Sequence, residues 1–110
     1  MYDASAGNKW LMIDDVHTLN HAIIAKNPQE AKELLRHKSW AHLVLDYDLF
    51  SKENGLDILV WAITEKLVPQ HVLLTTLSRR AKLAMGNLLM GEGYSSSDGS
   101  SWYLETLGTA

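Results

Sequence analysis

Three apolar runs in this 110-residue chain each stop on oxygen-bearing side chains, and that pattern restricts the fold more than any other feature. Lys9-Trp10-Leu11-Met12-Ile13 stops at Asp14-Asp15. His42-Leu43-Val44-Leu45 stops at Asp46, with Asp48 two residues on. His71-Val72-Leu73-Leu74 stops at Thr75-Thr76. Short, continuously apolar runs of this kind read as buried strands. In an open parallel α/β sheet the carboxyl ends of the strands share one edge, and ligands bind there. Carboxylates gathered on one edge repel one another unless a cation or proton joins them. The expected cation is hard and divalent, Mg²⁺, and the expected ligands are Asp14, Asp15, Asp46 and Asp48.

The segments between the runs are helical. Asn27 is a good N-cap, Pro28 suits the first helical position, and Glu30 gives a capping-box-like spacing. The helix is expected to end near Lys38, burying Ala31, Leu34 and Leu35. A second helix is expected over about 55–66, with Leu56, Leu59, Val60 and Ile63 as its inner stripe. Ser78 caps a third, with Ala81, Ala84, Met85 and Leu88 facing inward and Gly91 and Gly93 ending it. Strand–helix alternation predicts a doubly wound parallel sheet with strand order 2-1-3-4. One step breaks the rule. Residues 21–26 read as a strand, yet about six residues after the first strand are too few for a helical crossover. Either the first helix is lost or 21–26 is not a strand. Residues 1–8 and the Ser/Gly-rich stretch 95–101 are expected to be flexible, and Trp102-Tyr103-Leu104 to dock as an edge strand or short helix.

Length allows one domain, 1–110, with a single core. Cysteine is absent, which excludes disulfides and thiolate chemistry. A net charge of −3 with no basic cluster beyond Arg79-Arg80-Lys82 argues against an extensive nucleic-acid surface. No stretch approaches the length of a membrane span, and Met1–Ser5 has no leader-like character, so a cytoplasmic location is expected. The four tryptophans are expected in the core or covering helices. The surplus of large apolar side chains leaves room for a homodimer.

Ile13-Asp14-Asp15, Leu45-Asp46 and Thr75/Thr76 together resemble the receiver domain of two-component response regulators. That resemblance implies a flavodoxin-like fold, a Mg²⁺ site on the acidic pair and Asp46, phosphorylation of Asp46, and a hydroxyl contact from Thr75 or Thr76. The lysine that receivers carry after a fifth strand is missing. An offshoot, the cyclic-phosphate-processing receiver, is closer. Asp46-Tyr47-Asp48-Leu49, Asn54-Gly55-Leu56-Asp57, Thr75-Thr76 and Lys82 follow its motif order over about residues 9–90. Its short first connection also agrees with a lost first helix. Tyr47 and Thr75 stand where that family has histidines.

The resemblance implies a Mg²⁺-dependent domain that binds, and in relatives processes, a phosphoester. Asp46, Thr75 and Thr76 are the catalytic candidates. Thr76, Ser78 and Lys82 are the phosphate-binding candidates, aided by the free N–H groups at a helix start. His17, just after the acidic pair, is the one histidine placed for acid–base work. The partner is then a phosphorylated small molecule. Two other readings stay open: a receiver phosphorylated on Asp46, and a pseudo-receiver that binds a regulatory protein.

Overall fold

The computed structural model describes residues 9–15, 17–49 and 51–105. Six strands form one sheet: β1 (Trp10–Ile13), β2 (Ala22–Ala25), β3 (His42–Leu45), β4 (His71–Leu74), β5 (Tyr94–Ser95) and β6 (Ser101–Leu104). Three helices connect them: α1 (Pro28–His37), α2 (Gly55–Thr64) and α3 (Arg79–Gly91). The sheet order is β2-β1-β3-β4-β6-β5. Its first four strands are parallel and in the order expected from the sequence. The last two form an antiparallel hairpin that adds to β4 through β6. The result is a receiver-like α/β fold with a mostly parallel sheet.

Local sequence accounts for the helix starts. The Glu30 N–H donates to Asn27 Oδ1 at 2.8 Å, and the Glu30 carboxylate accepts from the Lys26 N–H at 2.8 Å. Asn54 and Asp57 form a reciprocal capping box. Ser78 Oγ accepts from the Ala81 N–H at 3.2 Å. Gly93, at φ 97°, turns the chain out of α3 into β5.

Among the described residues, the connection from β1 to β2 contains no helix. The chain must return only about one strand length to pair in parallel, and an eight-residue connection spans that distance with room to spare. The missing crossover decides how the sheet is covered. Right-handed connections put a β1-to-β2 helix on one face and all later helices on the other, because the strand order reverses direction after β2. The three described helices accordingly share one face. Leu11, Ile13, Leu43, Leu45, Val72, Leu74 and Trp102 point into a single core with Leu35, Ile58, Leu59, Met85 and Leu89.

Two expected helix faces are rotated. In α2 the buried residues are Gly55, Ile58, Leu59 and Ala62, and Val60 is exposed. This helix is apolar on nearly every side, so periodicity alone does not fix its inner face. In α3, Gly86 and Leu89 lie deeper than Ala84 and Leu88. Residues 95–101, expected to be flexible, hold a hairpin connection, 96–100, between the last residue of β5 and the first of β6. Asp98 Oδ1 accepts from the N–H groups of Ser100 and Ser101 at 2.9 and 3.0 Å. Trp102 docks as a strand residue, but β6 is not the edge, because β5 lies outside it. Residues 1–8 lie outside the described part of the chain. Among the described residues no helix is long and apolar enough to cross a membrane.

The sheet face opposite the helices carries a ring ladder. Trp10 stacks on His42 at 4.0 Å between centroids, and His71 stacks on Tyr103 at 4.4 Å. His42 Nδ1 and His71 Nδ1 are 2.9 Å apart, and His71 Nε2 is 2.8 Å from Ser101 Oγ. One Nδ1 must donate and the other accept, so the pair is stable only while a ring is neutral. Burial pushes the proton affinity of both histidines below its ordinary value, and for His71 the neighbouring His42 adds to this. The unfolded chain takes up protons near pH 6.5. Stability contributed by the pair is therefore complete above that pH and lost as pH falls through the histidine range. We expect a lower melting temperature at about pH 5.5 than at about pH 7.5. The difference should shrink in a His42→Leu/His71→Leu double variant. An unchanged difference would assign the pH dependence to other groups.

Candidate functional site

Parallel register carries three side chains to one edge. Ile13, Leu45 and Leu74 are aligned across β1, β3 and β4. The next residues, Asp14, Asp46 and Thr75, therefore form one row. The Asp46 N–H donates to the Ile13 carbonyl at 3.2 Å, and the Thr75 N–H to the Leu45 carbonyl at 3.1 Å. The Asp14 N–H closes the other side on the Ala25 carbonyl at 3.1 Å. The ladder thus continues one step past the strands and fixes the backbone beneath the site.

Asp14 is 1% exposed, unusual burial for a carboxylate. Its oxygens take the His17 N–H at 3.0 Å and the His17 ring Nδ1 at 3.1 Å. This i,i+3 capture resembles the way a cap begins a helix. Ligand atoms of Asp14, His17 and Asp46 all lie within 4.8 Å of one another. Asp46 Oδ1 accepts from the Tyr47 N–H at 2.8 Å. Burial is the largest cause raising the Asp46 proton affinity, and the charges of Asp14 and Asp48 add to it. The Tyr47 N–H and His17 oppose that rise. A cation between the carboxylates would relieve the same strain. Two carboxylates and an imidazole at this spacing are a candidate metal site.

The expected residues separate as follows. Asp14 and Asp46 come together. Asp15 is half-buried and outside the three-residue group, and Asp48 is exposed and outside it. His17, read from sequence only as an acid–base candidate, stands among the ligand atoms. The signal for it is the Asp-x-x-His spacing, which a tight turn closes. Thr75 is exposed in the row, whereas Thr76 is buried on the helix side. Thr76 Oγ1 accepts from the Ser78 N–H at 3.1 Å. The Ser78 hydroxyl caps α3, and Lys82 Nζ donates to Ser100 Oγ at 2.8 Å.

The loop after β3 is tied back to the site at Gly55. Its N–H donates to the Tyr47 carbonyl at 2.8 Å. A Cβ on Gly55 would lie 1.9 Å from the Asp46 carbonyl oxygen, so only glycine allows α2 to start there. Lys32 joins the same loop to α1 through a 2.7 Å ion pair with Glu53.

Residues 9–91 match the model of the cyclic-phosphate processing receiver domain, and the chain belongs to that family. Among solved structures it is similar to the MaeR response regulator bound to beryllium trifluoride. That match has a TM-score of 0.54 and 20% identity, over 91% of this chain and 88% of the other. An aspartate-to-alanine mutant of MaeR bound to sulfate matches with a TM-score of 0.53, again at 20% identity over 91% and 88% of the chains. At this identity the likeness bears on the fold. No curated protein matches in sequence.

Gly55→Ala should push the Asp46 backbone out of the row. The expected cost is about 1–3 kcal/mol of stability, from overpacking. Cation affinity at the acidic edge should fall with it. A variant with wild-type melting temperature and wild-type cation response would show that the contact is not a constraint.

Proposed function

We propose that the domain binds the phosphate group of a small phosphoester through Mg²⁺ held at Asp14 and Asp46. The observation that carries this reading is the row Asp14–Asp46–Thr75, with His17 closing on Asp14. The family's name points to cyclic phosphates as the ligand class. The two MaeR structures hold beryllium trifluoride and sulfate, both small anions.

The donor set fits a hard cation through its two carboxylates. Bound Mg²⁺ supplies the positive charge that lets carboxylates and a phosphate occupy one edge. The protein's own groups do the rest. His17 pins Asp14, and the Tyr47 N–H pins one Asp46 oxygen, leaving the other available. The Thr75 hydroxyl, next in the row, is the donor to a phosphate oxygen. The exposed His17 ring is the imidazole at this edge, hydrogen-bonded to Asp14. The lysine that receivers carry after a fifth strand and the histidines of relatives at the Tyr47 and Thr75 positions are missing. Proton transfer by such groups is worth about 10²–10⁴-fold in rate. Binding is therefore expected to exceed turnover in strength and ease of detection.

Asp46→Asn tests the reading. In the metal-free protein the raised proton affinity of Asp46 means that folding favours its neutral form. Stability is lost as pH rises through the carboxylate range toward neutrality. The amide removes that loss, so the apo variant should melt a few degrees higher near pH 7. The tryptophan-fluorescence response to Mg²⁺ should disappear. An unchanged Mg²⁺ response would overturn the site. A phosphate adduct in the intact mass after incubation with acetyl phosphate would instead mark Asp46 as an acceptor.

A further inference from the structure

Thr76 opens onto a cavity of about 540 Å³ between α3 and the β5–β6 turn, distinct from the acidic row. Arg79, Leu83, Gly86, Met90 and Trp102 also line it. We propose that this cavity takes the organic body of the phosphoester, a flat heteroaromatic group of nucleoside size. The proposal rests on the phosphate reading above only for the position of the phosphate end.

Four observations carry it. First, Thr76 is 3% exposed, and its oxygen accepts from the Ser78 N–H, but its own O–H donates to no described residue. A buried donor without an acceptor is unfavourable, and a ligand acceptor would offset that cost. Second, Leu83 and Met90 are 63% and 59% exposed, one helical face apart by seven residues, and rim the opening with apolar surface. Third, the wall between them is flat. Gly86 lies so close to the Trp102 ring that a Cβ there would be 2.7 Å from it. Fourth, the polar lining gathers at one end. Arg79, which has no ion-pair partner among the described residues, follows Thr76 at the start of α3. Lys82 Nζ donates to Ser100 Oγ and the Leu74 N–H to the Ser100 carbonyl, so the turn that carries Asp98 stands at this same end. A flat apolar body with its polar groups at one end matches this layout. A bare sugar phosphate or an acyl chain does not. The volume is in the range of small-molecule sites.

Consecutive residues link the two regions. Thr75 stands in the row with Asp46, and Thr76 turns to the helix side. A ligand crossing the end of β4 would therefore reach both.

Calorimetry on the full chain in Mg²⁺ with inorganic phosphate, AMP and adenosine separates the two readings. AMP should bind at least about tenfold more tightly than phosphate, and adenosine alone should bind measurably. Leu83→Glu, at an exposed position, should lower the ratio of AMP to phosphate affinity by about tenfold, and Thr76→Val should lower it several-fold. Circular dichroism confirms that each variant is folded. AMP binding no tighter than phosphate, with adenosine silent, overturns the cavity assignment and leaves the phosphate reading standing. Adenosine binding without phosphate binding does the reverse. A ratio unchanged in Leu83→Glu also overturns the assignment.

Discussion

Parallel pairing of β1, β3 and β4 in unbroken register is the constraint from which the rest follows. Each strand is only four residues long. Their ends coincide, and the first residue past each end is Asp14, Asp46 or Thr75. The backbone hydrogen bonds of those three residues continue the ladder, so the site has no independent loop geometry to maintain. Two acidic groups are thus held together by sheet hydrogen bonds and by the apolar contacts behind them. Mutual repulsion at the edge is tolerated because Leu11, Ile13, Leu43, Leu45 and Leu74 are almost wholly removed from water. Each such burial contributes roughly 1.5–3 kcal/mol.

The absence of a first helix is coupled to the same edge. Asp14 accepts two hydrogen bonds from His17, an arrangement that elsewhere opens a helix, but here the chain turns back at once into β2. Two consequences follow together. The sheet face that this helix would have covered is left to Trp10, His42, His71 and Tyr103. His17 is retained beside the carboxylates rather than carried away along a helix. Loss of one element thus changes both the covering of the sheet and the donor set of the site.

Much of this was legible in the residues. The strand ends, the N-caps at Asn27 and Ser78, and the collapsed first connection are local signals, and local hydrogen bonding decides them. What the sequence did not reveal depends on tertiary contact. Asp14 and Asp15 are chemically identical, and only the pleat decides which joins Asp46. The inner face of α2 was ambiguous because its apolar residues surround the helix, and contact with α1 and α3 selects Ile58, Leu59 and Ala62. Gly55 reads as an ordinary helix-start glycine until the Asp46 carbonyl is found against it. The Ser/Gly stretch before Trp102 has the composition of a loose loop, but Asp98 gathers its N–H groups and the hairpin closes.

The adjacent threonines show how a two-residue signal divides between two environments. Side chains alternate across a strand, so Thr75 and Thr76 cannot serve the same face. Thr75 shares parity with Asp14 and Asp46 and remains exposed at the edge. Thr76 shares parity with Val72 and Leu74, the core side, and its hydroxyl is drawn under the start of α3. A hydroxyl in that position is costly as a packing residue, since valine would fill the same volume without a polar atom. Part of its cost is met by the Ser78 N–H, which orders the turn into α3. The same side chain also lines the cavity. Sequence order therefore joins what the sheet separates: one peptide bond connects the acidic row to the pocket beneath the helix, and whatever occupies one lies within reach of the other.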